Sequence, residues 1–431
     1  MGERKCGGWP PKVFLHSLSP GGAGGSTKAV VWHGIGDIRL DDVPEPKIEA
    51  PTDAIVRLTA SAICGTDLHF IRGTMSDMVP GTILGHEGVG IVEAVGPEVR
   101  NFVPGDRVVI PSSASCGYCP PCREGNTSQC DNANPNGPSA GTAFYGGPKS
   151  SGPLNGMQAE KVRVVYANSS LVKLPDNVSD DQAIMISDIF PTAYFGAEIA
   201  GVKTGSVVVV LGCGPVGQFS IISAKLLGAT RVIAVDRLDD RLDMARKNGA
   251  EVINFEKEDP VEAVKKLTGG LLADCVIDAV GVDAQHAHAG PAKPDAEKEQ
   301  KFEQEVQEVA PDAKPEKDGQ WTPGDAPSQA SEWAIEMTKK AGQIGIIGVY
   351  SPQMTTYPIG KAMNKNLTIR MGNCNHRAII PGLVDLVAAG VVDPARVLTE
   401  HEHLGSAIEA FEAFDKRQPG WIKVELEPQA G

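Results

Sequence analysis

Four cysteines crowd one short stretch of the chain: Cys116, Cys119, Cys122 and Cys130, separated by two, two and seven residues. Four thiolates at this spacing suit a closed tetrahedral zinc, which stiffens a loop and leaves no open coordination position. Four cysteines also hold iron–sulfur clusters, but the bacterial ferredoxin run places its fourth cysteine after three residues, not seven. Five more cysteines, Cys6, Cys64, Cys213, Cys275 and Cys374, are scattered. In a long chain, such clustering favours metal ligation over disulfides.

A second signal is Gly212-Cys213-Gly214-Pro215-Val216-Gly217, which follows the apolar run Val207–Leu211 and opens a helical pattern. Asp236 closes the next apolar run, nineteen residues beyond Gly217. Between a strand and a helix, with an acid at this distance, the motif predicts dinucleotide binding. Gly212, Gly214 and Gly217 permit a tight turn, and free N–H groups around Pro215 and Val216 meet the pyrophosphate. Asp236 would accept hydrogen bonds from the adenosine ribose and repel the extra phosphate of NADP, while Arg237 softens that repulsion. NAD is the expected cofactor. The third constellation is Cys64-Gly65-Thr66-Asp67-Leu68-His69 with Gly85-His86-Glu87. Alone, a buried cysteine in a small-residue turn is more often core than ligand. Beside a dinucleotide site and a zinc loop, Cys64 and His86 become candidate ligands.

The elements that must position these groups fall into two kinds. From Lys28 to Val172 short β-type runs, such as Ala54–Leu58, Val89–Val95 and Arg107–Ile110, are broken by Gly and Pro, which predicts an irregular β-rich domain. From Ser206, apolar strands (Val207–Leu211, Arg231–Val235, Ala273–Ile277, Gln343–Gly348) alternate with helices (Val216–Leu227, Asp239–Asn248), the pattern of a doubly wound parallel sheet. Residues 282–330 interrupt this rhythm with eleven acidic residues, five basic residues and six prolines. So long an irregular segment is either functional or disordered; Glu297–Val309 is its one helical stretch. The chain closes with the strand-like Trp421–Leu426. At 431 residues, with 41% hydrophobic and 22% charged residues, two domains are expected. The net charge of −14 leaves no basic stripe for nucleic acid. No apolar run approaches the ~20 residues of a membrane span. Residues 1–27 show Pro and Gly clusters without a sustained apolar region, so they are expected to be a flexible extension of a cytoplasmic enzyme.

With these motifs in this order, the chain resembles the medium-chain, zinc-dependent alcohol dehydrogenases from Lys28 to Glu427. The resemblance implies an α/β protein with a β-rich GroES-like catalytic domain (28–190 and 356–431) and a Rossmann domain (191–355). It also implies two zincs per chain, NAD, a small alcohol or aldehyde substrate and a homodimer or homotetramer. The family holds its catalytic zinc with a cysteine, a histidine and a third ligand just before the cofactor domain. Here that stretch reads Ile186-Ser187-Asp188-Ile189, without cysteine. It resembles the glutathione-independent formaldehyde dehydrogenase and formaldehyde dismutase branch, where the aspartate is the ligand, and the implied set is Cys64, His86 and Asp188. The plain alternative for Asp188 is a helix N-cap. The resemblance assigns Thr66 to the substrate oxygen and His69 to the solvent end of a proton relay; Asp67 is expected to orient His86 as an outer acceptor, and Glu87 is either a transient zinc ligand or a buried charge beside the metal. Arg241 is placed near the adenosine ribose and Lys423 at the pyrophosphate. The branch carries an insert over the nucleotide where residues 282–330 stand here, beginning near Gln285-His286-Ala287-His288; no ligand role is assigned to His286 or His288. Two further readings stand beside this one: a zinc-free quinone or enone reductase, which the pair Cys64 and His86 argues against, and a non-enzymatic NAD-binding protein.

Overall fold

The computed structural model describes residues 25–428. The extension expected over residues 1–27 falls outside them up to residue 24, and its last two residues already belong to the strand Ser26–Gly34.

The run Val207–Leu211 is almost wholly β-branched and lies at the centre of a six-stranded sheet, buried on both faces. Its neighbours are Arg231–Asp236 and then Glu251–Asn254 on one side, and Ala273–Asp278, Thr338–Ile346 and Thr368–Met371 on the other. Every pair is parallel, with Val209 opposite Ile233 and Val276. The helices Pro215–Leu226 and Asp239–Lys247 cover one face and Pro260–Leu267 and Gln329–Met337 the other, which is why these strands tolerate no polar alternation. The sixth strand, Thr368–Met371, lies beyond the expected boundary at residue 355, so the parallel sheet runs further along the chain than the sequence suggested. Its flanking residues are polar and three of its four residues are exposed, which hid it.

The β-rich half centres on Ala54–Ile63. Antiparallel partners flank it: Gly88–Val95, Lys161–Val164 and, from the C-terminus, Val424–Glu427. The helices Asp180–Ser187 and Ile189–Ile199 join the two sheets through a shared core in which Val89, Phe190, Phe219 and Ile380 pack together.

Residues 282–330 are not a loose loop. Asp295 caps the helix Ala296–Val309, accepting from Lys298 N–H at 2.9 Å, and the helix buries Phe302 and Val309. Trp321, 4% exposed, sits in the core of the β-rich half beside Val30, Phe70 and Phe411. The segment therefore leaves the parallel sheet, crosses to the other half and returns.

Candidate active site

Cys64 follows directly on the strand Ala54–Ile63 and caps the helix Gly65–Arg72. Asp67 closes that first turn: its Oδ2 accepts from the Cys64 backbone N–H and from Gln158 Nε2, each at 3.0 Å. His86 and Glu87 precede the strand Gly88–Val95, the sheet neighbour of Ala54–Ile63. Asp188 comes from the junction of two helices, and its carboxylate makes no cap bond to the second of them. Asp188 thus stands at the N-cap position, but its carboxylate is turned to other partners.

Ligand atoms of Cys64, His86, Glu87 and Asp188 all lie within 4.8 Å of one another. Cys64 Sγ is 3.9 Å and His86 Nε2 3.5 Å from Asp188 Oδ2, and His86 Nδ1 is 3.4 Å from Asp67 Oδ1. Neither ring nitrogen of His86 completes a hydrogen bond, although the residue is 1% exposed. Polar atoms buried in this way cost about 1–3 kcal/mol each. A converging sulfur, nitrogen and oxygen set meets the donor requirement of zinc, with Asp67 placed to hold the other ring nitrogen. Burial pushes the Cys64 thiol up, only partly opposed by His86. Burial also disfavours imidazolium, yet Asp67 and Cys64 outweigh it and hold His86 well above its ordinary value. Asp188 is buried too, but His376 and His86 keep its carboxyl well below the usual carboxylate range.

His376, which sequence reasoning missed, is part of this site. Its Nε2 lies 2.8 Å from Asp188 Oδ1 and 3.3 Å from Thr192 Oγ1, and Ser112 and Ser113 flank the ring. It stands 188 residues from Asp188 with no motif around it, so no local signal marks it.

Two expected roles change. Lys423 does not extend to a pyrophosphate: fully buried, its ammonium pairs with Glu87 Oε2 and donates to the Ile63 carbonyl at 2.9 Å. Burial raises the Glu87 carboxyl despite that partner. His69 is 5% exposed, and its Nδ1 faces Thr74 Oγ1 at 2.9 Å and Asp283 Oδ2 at 3.2 Å. His69 meets the segment that carries Asp283 and also lines the cavity.

The glycine turn has the geometry its sequence implied. Gly212 has φ of +84°, and a Cβ on Gly217 would lie 1.9 Å from the Gly212 carbonyl oxygen. Gly214 stands at the N-cap of Pro215–Leu226, with Pro215 in its first turn. Asp236 Oδ2 accepts from Cys213 N–H at 2.7 Å, and Oδ1 from the N–H groups of Arg237 and Leu238. Arg237 Nε donates to Gln285 Oε1 at 2.8 Å, and Arg241 lies over Gly214. Arg417, also missed, lines the same space, where burial and then the nearby Arg72 and Arg241 push its guanidinium down to about 9. One continuous cavity of about 760 Å³ joins Cys64, Thr66, His86 and Asp188 to Gly212, Asp236, Arg241 and Arg417.

The four-cysteine loop forms a separate buried cluster, its Sγ atoms within 4.8 Å of one another. The N–H groups of Tyr118 and Cys119 and the Asn132 amide donate to Cys116 Sγ; burial opposes them, but together they hold its thiol below the ordinary value. A closed zinc site fits these four sulfurs.

Residues 50–176 match the family model described as alcohol dehydrogenase GroES-like domain, and residues 215–289 match that described as zinc-binding dehydrogenase. The chain is 37% identical to an uncharacterized zinc-type alcohol dehydrogenase-like protein AdhB of Bacillus subtilis (strain 168), over 93% of this chain and 100% of that one. It is 34% identical to a glutathione-independent formaldehyde dehydrogenase of Pseudomonas aeruginosa (strain LESB58), over 80% of each chain. The solved structure of alcohol dehydrogenase TADH from Thermus sp. ATN1 superposes with a TM-score of 0.75 at 33% identity, covering 93% of this chain and 99% of that one. Both family models fall in order on the two halves that frame the cavity, and the full-length similarity leaves no half unaccounted for: the chain belongs to the medium-chain zinc-dependent alcohol dehydrogenases, a family of oxidoreductases.

Proposed function

We propose that this enzyme transfers hydride between NAD(H) and a small alcohol or aldehyde, with formaldehyde as its characteristic substrate. The continuity of one cavity from the Cys64–His86–Asp188 donor set to the glycine turn carries this reading. Those three residues would hold the catalytic zinc, which when bound supplies Lewis acidity toward a substrate oxygen. Thr66, whose hydroxyl is 3.8 Å from Cys64 Sγ, lines the same wall and is placed to take the proton of the substrate hydroxyl. Asp236 accepts the ribose hydroxyls and so favours NAD over its phosphorylated form. Arg241, beside Gly214, and Arg417 line the cavity and would serve the pyrophosphate in place of Lys423.

Formaldehyde in water is chiefly a diol and offers the same H–C–O–H unit as an alcohol. Loss of hydride to NAD and of the hydroxyl proton, which Thr66 would relay by giving up its own proton toward solvent in the cavity, converts the diol into formic acid, NADH and a released proton. Asp188 in place of a cysteine and the similarity to a formaldehyde dehydrogenase support that choice of substrate. The inserted segment lines the cavity through Asp283 and Gln285 and is anchored by Trp321, which supports a second reading, in which retained NAD shuttles hydride between two aldehyde molecules. Kinetics with formaldehyde, longer aldehydes and primary alcohols test the assignment: the highest kcat/KM is expected with formaldehyde, and no turnover of it would refute the formaldehyde assignment. Survival of bound NAD through dialysis would favour the second reading.

A further inference from the structure

The geometry points to a third metal site, built by His286, His288 and Asp325 within the inserted segment and taking one divalent ion of the zinc class. His286 and His288 stand near the start of residues 282–330 and Asp325 near their end, yet His286 Nε2 and His288 Nε2 lie 3.7 Å and 3.1 Å from the same oxygen, Asp325 Oδ2. Two bonds of about 2.0–2.1 Å at a tetrahedral angle place ligand atoms about 3.3 Å apart, between those two distances.

The outer partners of the two rings decide which atoms are free. His286 Nδ1 is 3.0 Å from the Ala287 carbonyl, and His288 Nδ1 is 3.2 Å from Glu256 Oε1. A carbonyl and a carboxylate only accept, so each Nδ1 is held as a donor and each Nε2 is the atom turned toward Asp325. His288 Nε2 reaches Asp325 Oδ2 at hydrogen-bond distance, and an ion would take the place of that proton, drawing on both Nε2 atoms and the shared carboxylate oxygen. With neutral rings, Glu256 and Asp325 leave the cluster at −2, which a divalent ion cancels. Nitrogen donors with a single carboxylate select zinc, nickel, cobalt or copper over magnesium or calcium.

The cluster is also held in shape. Asp325 Oδ1 accepts from the His286 N–H at 2.9 Å, and Glu256 Oε2 accepts from the N–H groups of His288 and Ala289. The His286 ring stacks near-parallel over Phe302, with centroids 6.1 Å apart. These contacts draw both ends of the segment and the cofactor-domain residue Glu256 together. The neighbouring Gln285 receives Arg237 Nε, so the ion would clasp the segment at the adenosine end of the cavity.

Titration calorimetry with Zn²⁺ alone, on enzyme whose cysteine-containing sites are already filled, tests this. Wild type should take up one further ion per chain at micromolar concentration. His286→Ala and His288→Ala should each weaken that step by at least 100-fold while leaving NAD-linked turnover in place. Glu256→Gln, which removes only the acceptor for His288 Nδ1, should weaken it by about 10- to 100-fold. No further uptake by wild type, or uptake unchanged in both histidine variants, overturns the proposal.

Discussion

The two oxygens of Asp188 face different ways: Oδ2 faces Cys64 and His86, and Oδ1 is held by His376. His376 therefore acts as a positioning residue for the carboxylate, the role that outer partners of metal ligands usually play. His376→Ala is expected to lower catalytic zinc affinity by about 10- to 100-fold and leave the four-cysteine metal in place, measurable by competition with a chelator. Legibility at this scale followed chain distance. Cys64, His86 and the four cysteines stand in short motifs that spacing alone exposes. His376 and Arg417 reach the site only through the fold, so nothing near them in the chain announced a role. Lys423 shows another limit: the resemblance places it at the pyrophosphate, but the burial that turns it onto Glu87 is not visible in a sequence.

The inserted segment is the element that most changes the picture. Its acidic composition reads as solvated or disordered, yet its charges are spent on particular partners. Arg72, on the helix that begins at Cys64, pairs with Asp283 at 2.6 Å and Asp415 at 2.7 Å. Asp415 Oδ2 in turn accepts from Gln320 Nε2 and the Trp321 N–H, both at 2.8 Å. Burial alone would raise the Asp283 carboxyl, but Arg72 and His69 outweigh it and hold it far below the ordinary 3.8. Its folded value lies below its unfolded one, so its contribution is present above about pH 4 and is lost as pH falls further. Arg72→Met would leave two buried carboxylates uncompensated and should cost about 3–5 kcal/mol, read by denaturant unfolding at neutral pH. An effect below about 1 kcal/mol would mean that the segment is not anchored there. The helix Ala296–Val309 was legible from its composition, whereas the anchoring of Trp321 was not, because a lone tryptophan among Gly and Pro carries no periodicity.

Over the whole molecule, the central strands of the parallel sheet and the antiparallel core of the β-rich half follow from runs of β-branched residues broken by glycine. The edge strand Thr368–Met371 escaped because it is short and mostly exposed. That edge bears on assembly. Its last residue Met371 is 63% exposed, and in the preceding helix Ile359 is 72% and Met363 80% exposed, apolar groups near in chain to a strand with one free side among the described residues. Such edges invite pairing, and a two-fold pairing of two copies would cover this one. Wild type is expected to elute with the mass of a dimer or larger assembly, and Ile359→Glu with Met371→Glu to shift it toward 45.3 kDa monomers in light scattering. A monomeric wild type would remove that role from the edge.

The proposed function rests on a single cavity in which Cys64, His86 and Asp188 would hold metal and substrate facing the hydride acceptor. The direct measurement is NADH formation followed by absorbance with formaldehyde or a primary alcohol, in wild type and in Asp188→Asn. Substrate-dependent NADH formation by wild type should fall at least about 100-fold in the variant while NADH still binds, because only the substrate side of the cavity has changed. Wild type that forms no NADH with any small alcohol or aldehyde, or Asp188→Asn at full activity, would contradict it.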